Sequence, residues 1–355
     1  MIQAGWGTWP TLSVGAEEEL MILDATTFAQ VGEVDKLIGS LDGSGLPGVV
    51  KTELFASVCE LATEPCADAT EAGAALGGLR LAARDAAAAN GLTVAAAGSH
   101  PFADPEEQPV VQEPRYTDFA DYAGVSARRQ GVQGLHVHVA MPGPDECYAA
   151  LEAILPWLPL VLALSANSPY LVGRATGMAS NRALLLAELP RSGGPPPFGT
   201  YAGWESWVER LMRIGVTADY TRIWWDVRPH PKLGTLEIRM PDQPTSLAHS
   251  TAFVALIREL CRWALDQEPA AVDPAQRGDY AQNRWAASRF GPRAELIHPD
   301  GDRAVDVPEL WEELRGFLAG EPLLDALDPE SCEGDLQLAL DPHAAAADLV
   351  ARTFA

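Results

Sequence analysis

The sequence predicts an α+β fold in which an antiparallel or mixed sheet is backed by helices. Three observations point there. Extended apolar segments are spread through the first two-thirds of the 355 residues, helices and long loops separate them, and the last third reads as almost wholly helical. A composition of 47% hydrophobic and 21% charged residues is that of a globular chain, which excludes whole-chain disorder. No period repeats and no low-complexity tract divides the chain, so one domain spanning 1–355 is expected.

The first extended segment, residues 12–23, is β-like at both ends and carries Glu17, Glu18 and Glu19 in its middle. A short helix is expected over 34–41 and a second extended run over 49–63, with Glu53 and Glu60 embedded in it. Residues 68–90 read as an Ala-rich helix, capped by Asp68 and stopped at Asn90-Gly91, and 92–98 as a buried strand. Residues 99–130 are rich in Pro, Asp, Glu and Tyr and read as a loop region with short helices. A strand over 131–141 holds His136 and His138, and a proline-interrupted helix follows to Ser165. Residues 168–200 are irregular and end in Gly193-Gly194-Pro195-Pro196-Pro197, a composition that suits a mobile lid or an ordered active-site loop. A helix near 203–214 precedes strands at 222–228 and 234–240, and helices are expected at 246–266, 280–290, 307–319 and 342–353.

A net charge of −24 repels phosphate backbones and anionic lipid, and no basic patch offsets it, so no nucleic-acid partner is expected. The longest apolar stretch, around 151–164, is broken by Glu152, Pro156 and Pro159, so no membrane crossing is expected. Five cysteines at wide spacings, Cys59, Cys66, Cys147, Cys261 and Cys332, read as reduced thiols. With no signal-peptide pattern at the start, a cytoplasmic location is expected.

Familiar catalytic signatures are absent. Residues 43–48 match G-x-G-x-x-G, but the match follows a helix and Pro47 stands where a dinucleotide-binding helix would open, so it reads as a turn. There is no P-loop, no G-x-S-x-G and no H-E-x-x-H. What remains is an acidic and histidine constellation. On a strand Glu17 and Glu19 share one face while Glu18 points away; His136 and His138 share a face, as do Glu237 and Arg239. Glu53 and Glu60 differ in strand parity, so a bulge or bend is needed to bring both to one site. Carboxylates embedded in apolar strands need a cation, and an oxygen-rich set without thiolates suits Mg²⁺ or Mn²⁺. Arg174, Arg182, Arg228 and Arg239 lie in or beside irregular segments and could clamp phosphate or carboxylate as a group.

Five segments carry a family resemblance: Gly15-Ala16-Glu17-Glu18-Glu19; Glu53 with Glu60-Leu61-Ala62-Thr63; Gly134-Leu135-His136-Val137-His138-Val139; residues 163–170; and Trp225-Asp226-Val227-Arg228-Pro229 through Gly234-Thr235-Leu236-Glu237-Ile238-Arg239. In this order they resemble type 2 glutamate-cysteine ligases, the YbdK-type carboxylate-amine ligases, from about residue 11 to 290, and the part beyond Phe290 resembles them weakly. The resemblance implies a glutamine-synthetase-like fold, with helices on the convex side of the sheet and ATP and Mg²⁺ or Mn²⁺ held on its concave face. It implies Glu17, Glu19, Glu60 and Glu237 as metal ligands and Arg239 and Glu53 as catalytic groups. His136, Arg174, Arg182 and Arg228 are implied as nucleotide or phosphate contacts. The expected reaction joins a glutamate-like carboxylate to an amino-acid amine through an acyl phosphate, with a homodimer fitting the family. Two other readings stay open: a metal-dependent hydrolase built on His136, His138 and a Glu, and a nucleotide-binding protein without turnover.

Overall fold

The computed structural model describes residues 4–41, 45–268, 274–318 and 320–355; part of the 43–48 turn therefore lies outside the described residues. Seven strands form the main sheet: β1 (Val14–Asp24), β2 (Gly48–Thr52), β3 (Val58–Thr63), β4 (Leu92–Ala95), β5 (Leu135–Ala140), β6 (Val227–His230) and β7 (Thr235–Ile238). Their order is β6-β7-β5-β1-β3-β2, with β4 pairing the far half of β1, and every pairing is antiparallel. The predicted 49–63 run is a hairpin, β2–β3. Its turn is fastened from outside by a bridge between Phe55 and Val110 and by the Ala56 amide donating to the Pro109 carbonyl, 2.8 Å.

Alternation along β1 decides where the site can be. Val14, Ala16, Leu20 and Ile22 face the apolar core, and so does Glu18. Helices Ala69–Ala88 and Leu247–Leu265 cover this face, their Ala72, Leu76, Ala252 and Leu256 packing with Val137, Val139, Leu236 and Ile238. The helices approach closely because Gly73 has no side chain; a Cβ there would run into Thr251. On the other face, Met21 and Leu23 are closed over by Leu349 and Val350 of the terminal helix Pro342–Arg352, whereas Glu17 and Glu19 further back along the strand stay uncovered by it.

Glu18 is tolerable inside the core because it has a partner. Arg80, from the Ala69–Ala88 helix, donates to it through Nε and Nη2 at 2.7 and 2.6 Å, and Gln243 Nε2 adds a third bond at 3.0 Å. Arg80 also donates to the carbonyls of Thr245 and Thr353, so the pair ties β1, a helix and the chain's end together. Glu18→Ala leaves a buried guanidinium without its counter-charge and should cost about 3–5 kcal/mol in urea unfolding. A loss below about 1 kcal/mol would show that the pair carries no such weight.

Most predicted elements are present, with Asp68 capping its helix by accepting from the Glu71 amide at 2.9 Å. The segment Pro144–Ser165 is nearly continuous helix, long and apolar enough to cross a membrane by length and composition, and it is buried in the core, packed on the Leu247–Leu265 and Ala275–Phe290 helices. The Gly193–Pro197 loop does not cover the cleft. Gly193 pairs beside Trp225, Gly194 packs on Tyr280, and the Pro195 carbonyl accepts from Arg277 Nε at 2.7 Å, which anchors the loop to the Ala275–Phe290 helix instead. A small hairpin, Glu295–Ile297 with Ala304–Asp306, was not anticipated. All five cysteines are free thiols, and buried.

Candidate active site

The uncovered face of β1 is the floor of a cleft of about 550 Å³. Register brings the predicted residues together. Glu17 stands opposite His136, Glu19 opposite Glu60, Glu60 opposite Lys51, Glu237 opposite both His138 and Arg228. Six neighbouring strands thus line up acids, imidazoles and bases in cross-strand rows. The hairpin turn resolves the parity problem of Glu53 and Glu60: Glu60 projects from β3, Glu53 sits just past β2, and both line the cleft.

At one end Glu237 is fully buried and held as an anion. Arg228 donates to it through Nε and Nη2 at 2.6 and 3.0 Å, and Arg239 Nη1 donates to it at 2.6 Å. Burial opposes its ionisation, but the two guanidiniums outweigh that and keep the carboxyl well below the usual carboxylate range. His136 Nδ1 lies 3.4 Å from both Glu17 Oε2 and Arg239 Nη1. Burial, with the Arg239 charge, pushes the His136 imidazole down to about 3, so it is neutral at pH 7. Burial likewise disfavours charge on Glu17, but the hydrogen bond with His136, with the Lys51 ammonium nearby, wins and holds it ionised.

The other carboxylates are crowded. Burial and the charge of Glu53 push Glu19 up to about 7, although the Gly134 amide donates to it at 2.7 Å. Burial and the charges of Glu17 and Glu53 push Glu60 well above the usual range, with Lys51 only partly compensating from 2.9 Å. Gly134 must be glycine, because a Cβ would collide with the guanidinium of Arg182 passing over it. This excess of buried negative charge is what a hard divalent cation relieves. Among the described residues no three His, Cys, Asp or Glu side chains close on one point.

Not every predicted contact belongs here. Arg174 is a correction: it lies in the exposed two-residue pairing of Tyr170–Leu171 with Arg174–Ala175, away from the cleft, because a Gly-rich segment does not reveal which way its side chains point. Arg182 lines the cleft, yet Nη1 and Nη2 donate to the carbonyls of Met240 and Arg239 at 3.2 and 3.1 Å, with Asp242 at 3.8 Å. It braces the β7 end, so its assignment as a phosphate clamp is not supported by its contacts. Arg228 is similarly occupied by Glu237 and by the carbonyls of Thr221 and Ile223. Glu237, expected as a metal ligand, has both oxygens on guanidiniums and anchors Arg239. His138 hydrogen-bonds Thr235 Oγ1 at 3.0 Å, its ring edge-on to His230.

Several lining residues carried no sequence signal. Arg115, Tyr116 and Phe119 come from the helix Pro114–Ala123, and Arg222 and Trp224 from the segment before β6. Phe119 packs on Trp224 with ring centroids 5.0 Å apart, and Leu186 and Leu189 extend this apolar wall. Lys51 had a readable clue, since it shares strand parity with Glu53 two residues on.

The model of glutamate-cysteine ligase family 2 matches residues 13–345, well past the point where the motifs alone ran out. A protein of Rubrobacter xylanophilus, provisionally named glutamate-cysteine ligase 2-3, is 40% identical over 96% of this chain and 91% of its own. The glutamate-cysteine ligase of Haloferax volcanii is 35% identical over 90% of each chain. The fold is also that of a Francisella tularensis glutamate-cysteine ligase crystallised with AMP, with a TM-score of 0.68 and 14% identity over 96% of this chain and 89% of the other. Matched along nearly its whole length, the chain belongs to glutamate-cysteine ligase family 2 and is an ATP-dependent ligase that forms carbon–nitrogen bonds.

Proposed function

We propose that this cleft activates a carboxylate as an acyl phosphate and passes it to an amino-acid amine, with glutamate and cysteine as the pair indicated by its relatives' names. The observation that carries this reading is the meeting, in one cleft, of four carboxylates (Glu17, Glu19, Glu53 and Glu60) with the guanidinium of Arg239. A carboxylate is a poor electrophile, and its oxygen attacks the γ-phosphorus of ATP while ADP leaves; the amine nitrogen then attacks the acyl carbon and phosphate leaves. Nothing in this sequence needs a nucleophilic Ser or Cys. Positioning and charge stabilisation supply the rate.

In this reading Glu17, Glu19 and Glu60 would face Mg²⁺ or Mn²⁺, which when bound would neutralise the triphosphate oxygens. Glu237 fixes Arg239, whose charge is held at the inner end for the transferring phosphoryl group. Neutral His136 keeps Glu17 ionised and oriented. Glu53, half-buried beyond the end of β2, is accessible enough to accept the proton that the amine sheds. The apolar wall of Phe119, Trp224, Leu186 and Leu189 suits the flat base of the nucleotide.

Purified protein should release ADP when supplied with ATP, Mg²⁺ or Mn²⁺, a carboxylate and an amine, tested across an amino-acid panel. Turnover with water alone, or tight nucleotide binding without turnover, would contradict the reading. Trp224→Ala should raise KM for ATP by roughly three- to tenfold with kcat within about twofold, as loss of a stacking surface requires. An unchanged KM would move the base elsewhere.

A further inference from the structure

We propose that Lys51 is a tethered counter-ion: in the metal-free protein its ammonium occupies the place between Glu60 and Glu17 that a divalent cation takes, and the cation displaces it. This rests on the reading of Glu17 and Glu60 as metal-facing groups. Lys51 stands on the edge strand β2 directly opposite Glu60, with Nζ 2.9 Å from Glu60 Oε1 and 4.0 Å from Glu17 Oε1. Those oxygens come from β3 and β1, so a single positive charge is drawn to a point shared by two strands of the oxygen set.

The pair is unequal. The Lys51 side chain is 44% exposed and that of Glu60 only 9%, so the ammonium reaches in from solvent and can return there, while the carboxylate cannot follow it. Its chemistry is equally distinct from that of the arginines at the inner end of the cleft. Arg228 is fixed by a two-nitrogen fork to buried Glu237, Arg239 by one nitrogen to the same carboxylate, and Arg182 by backbone carbonyls. Lys51 is one of three lysines in the chain, and it offers a point charge on a flexible four-carbon stem. Lys51 is thus a half-exposed, flexible positive charge placed on two of the carboxylates read as facing the metal. Once displaced, it remains tethered at the mouth, where it adds one positive charge beside an incoming anionic substrate.

The test is binding of Mn²⁺ alone to the full chain, read by the electron paramagnetic resonance of free Mn²⁺ at mildly alkaline pH, for wild type, Lys51→Met and Lys51→Gln. Removing the competing ammonium should tighten Mn²⁺ binding by about tenfold in both variants. Without metal both variants should melt below wild type, and saturating Mn²⁺ should close the gap. Equal or weaker Mn²⁺ binding in the variants, with Glu60→Gln still abolishing it, overturns the counter-ion and leaves the metal reading standing. No Mn²⁺ binding by wild type or by either variant overturns both.

Discussion

Arg239→Lys is expected to lower kcat about 10³-fold while leaving the melting temperature close to that of wild type. The reason lies in how the guanidinium is used. One arm, Nη1, donates to Glu237 at 2.6 Å and lies 3.4 Å from His136, while the side chain also lines the cleft. A lysine keeps the charge but has no second donor at a fixed angle, so it cannot hold Glu237 and face a phosphoryl oxygen at once. The fold survives because Glu237 retains its two bonds from Arg228. A kcat within about tenfold of wild type would remove Arg239 from transition-state stabilisation.

Glu60→Gln should reduce metal-dependent turnover by about 10²–10³-fold, and here stability should move the other way. Burial and the charges of Glu17 and Glu53 raise the Glu60 pKa above its unfolded value, so the folded metal-free protein binds a proton that the unfolded chain has given up. Stability from this group is therefore fully present below the unfolded carboxylate pKa of 4.5 and declines as pH rises above it. Glu19, pushed up to about 7, acts in the same window. Removing the Glu60 charge should flatten that decline, so the variant should melt at or above wild type near pH 7 without metal. Glu18 and Glu237, held below the usual range, contribute stability that is constant above pH 4.5 and is lost only as pH falls below it, so they do not mask the effect. Wild-type-like activity in Glu60→Gln would take it out of the metal-facing set.

The parity of β1 was legible in the sequence because a strand's period is a hard geometric constraint: Glu17 and Glu19 had to share one face, and Glu18 had to find a partner on the other. The same rule placed His136 with His138 and Glu237 with Arg239. It gave the wrong shape for 49–63, because a hairpin turn without Asn-Gly or Asp-Gly leaves no short-range mark; Glu53-Leu54-Phe55-Ala56-Ser57 is held by the distant Pro109 to Val111 segment instead. Arginines were harder still. Arg174, Arg182 and Arg228 sit in similar local sequence, yet one is in solvent and two are consumed by buried partners, a distinction that only tertiary neighbours make. The aromatic wall of Phe119 and Trp224 joins residues over a hundred positions apart, for which no local pattern exists.

The acyl-phosphate route can be traced with isotope. When the carboxylate substrate is labelled with ¹⁸O in the group that becomes the amide, one ¹⁸O atom per turnover should appear in the released inorganic phosphate, because the oxygen that attacks ATP departs with phosphorus. Phosphate that carries no label while amide and ADP accumulate would contradict it.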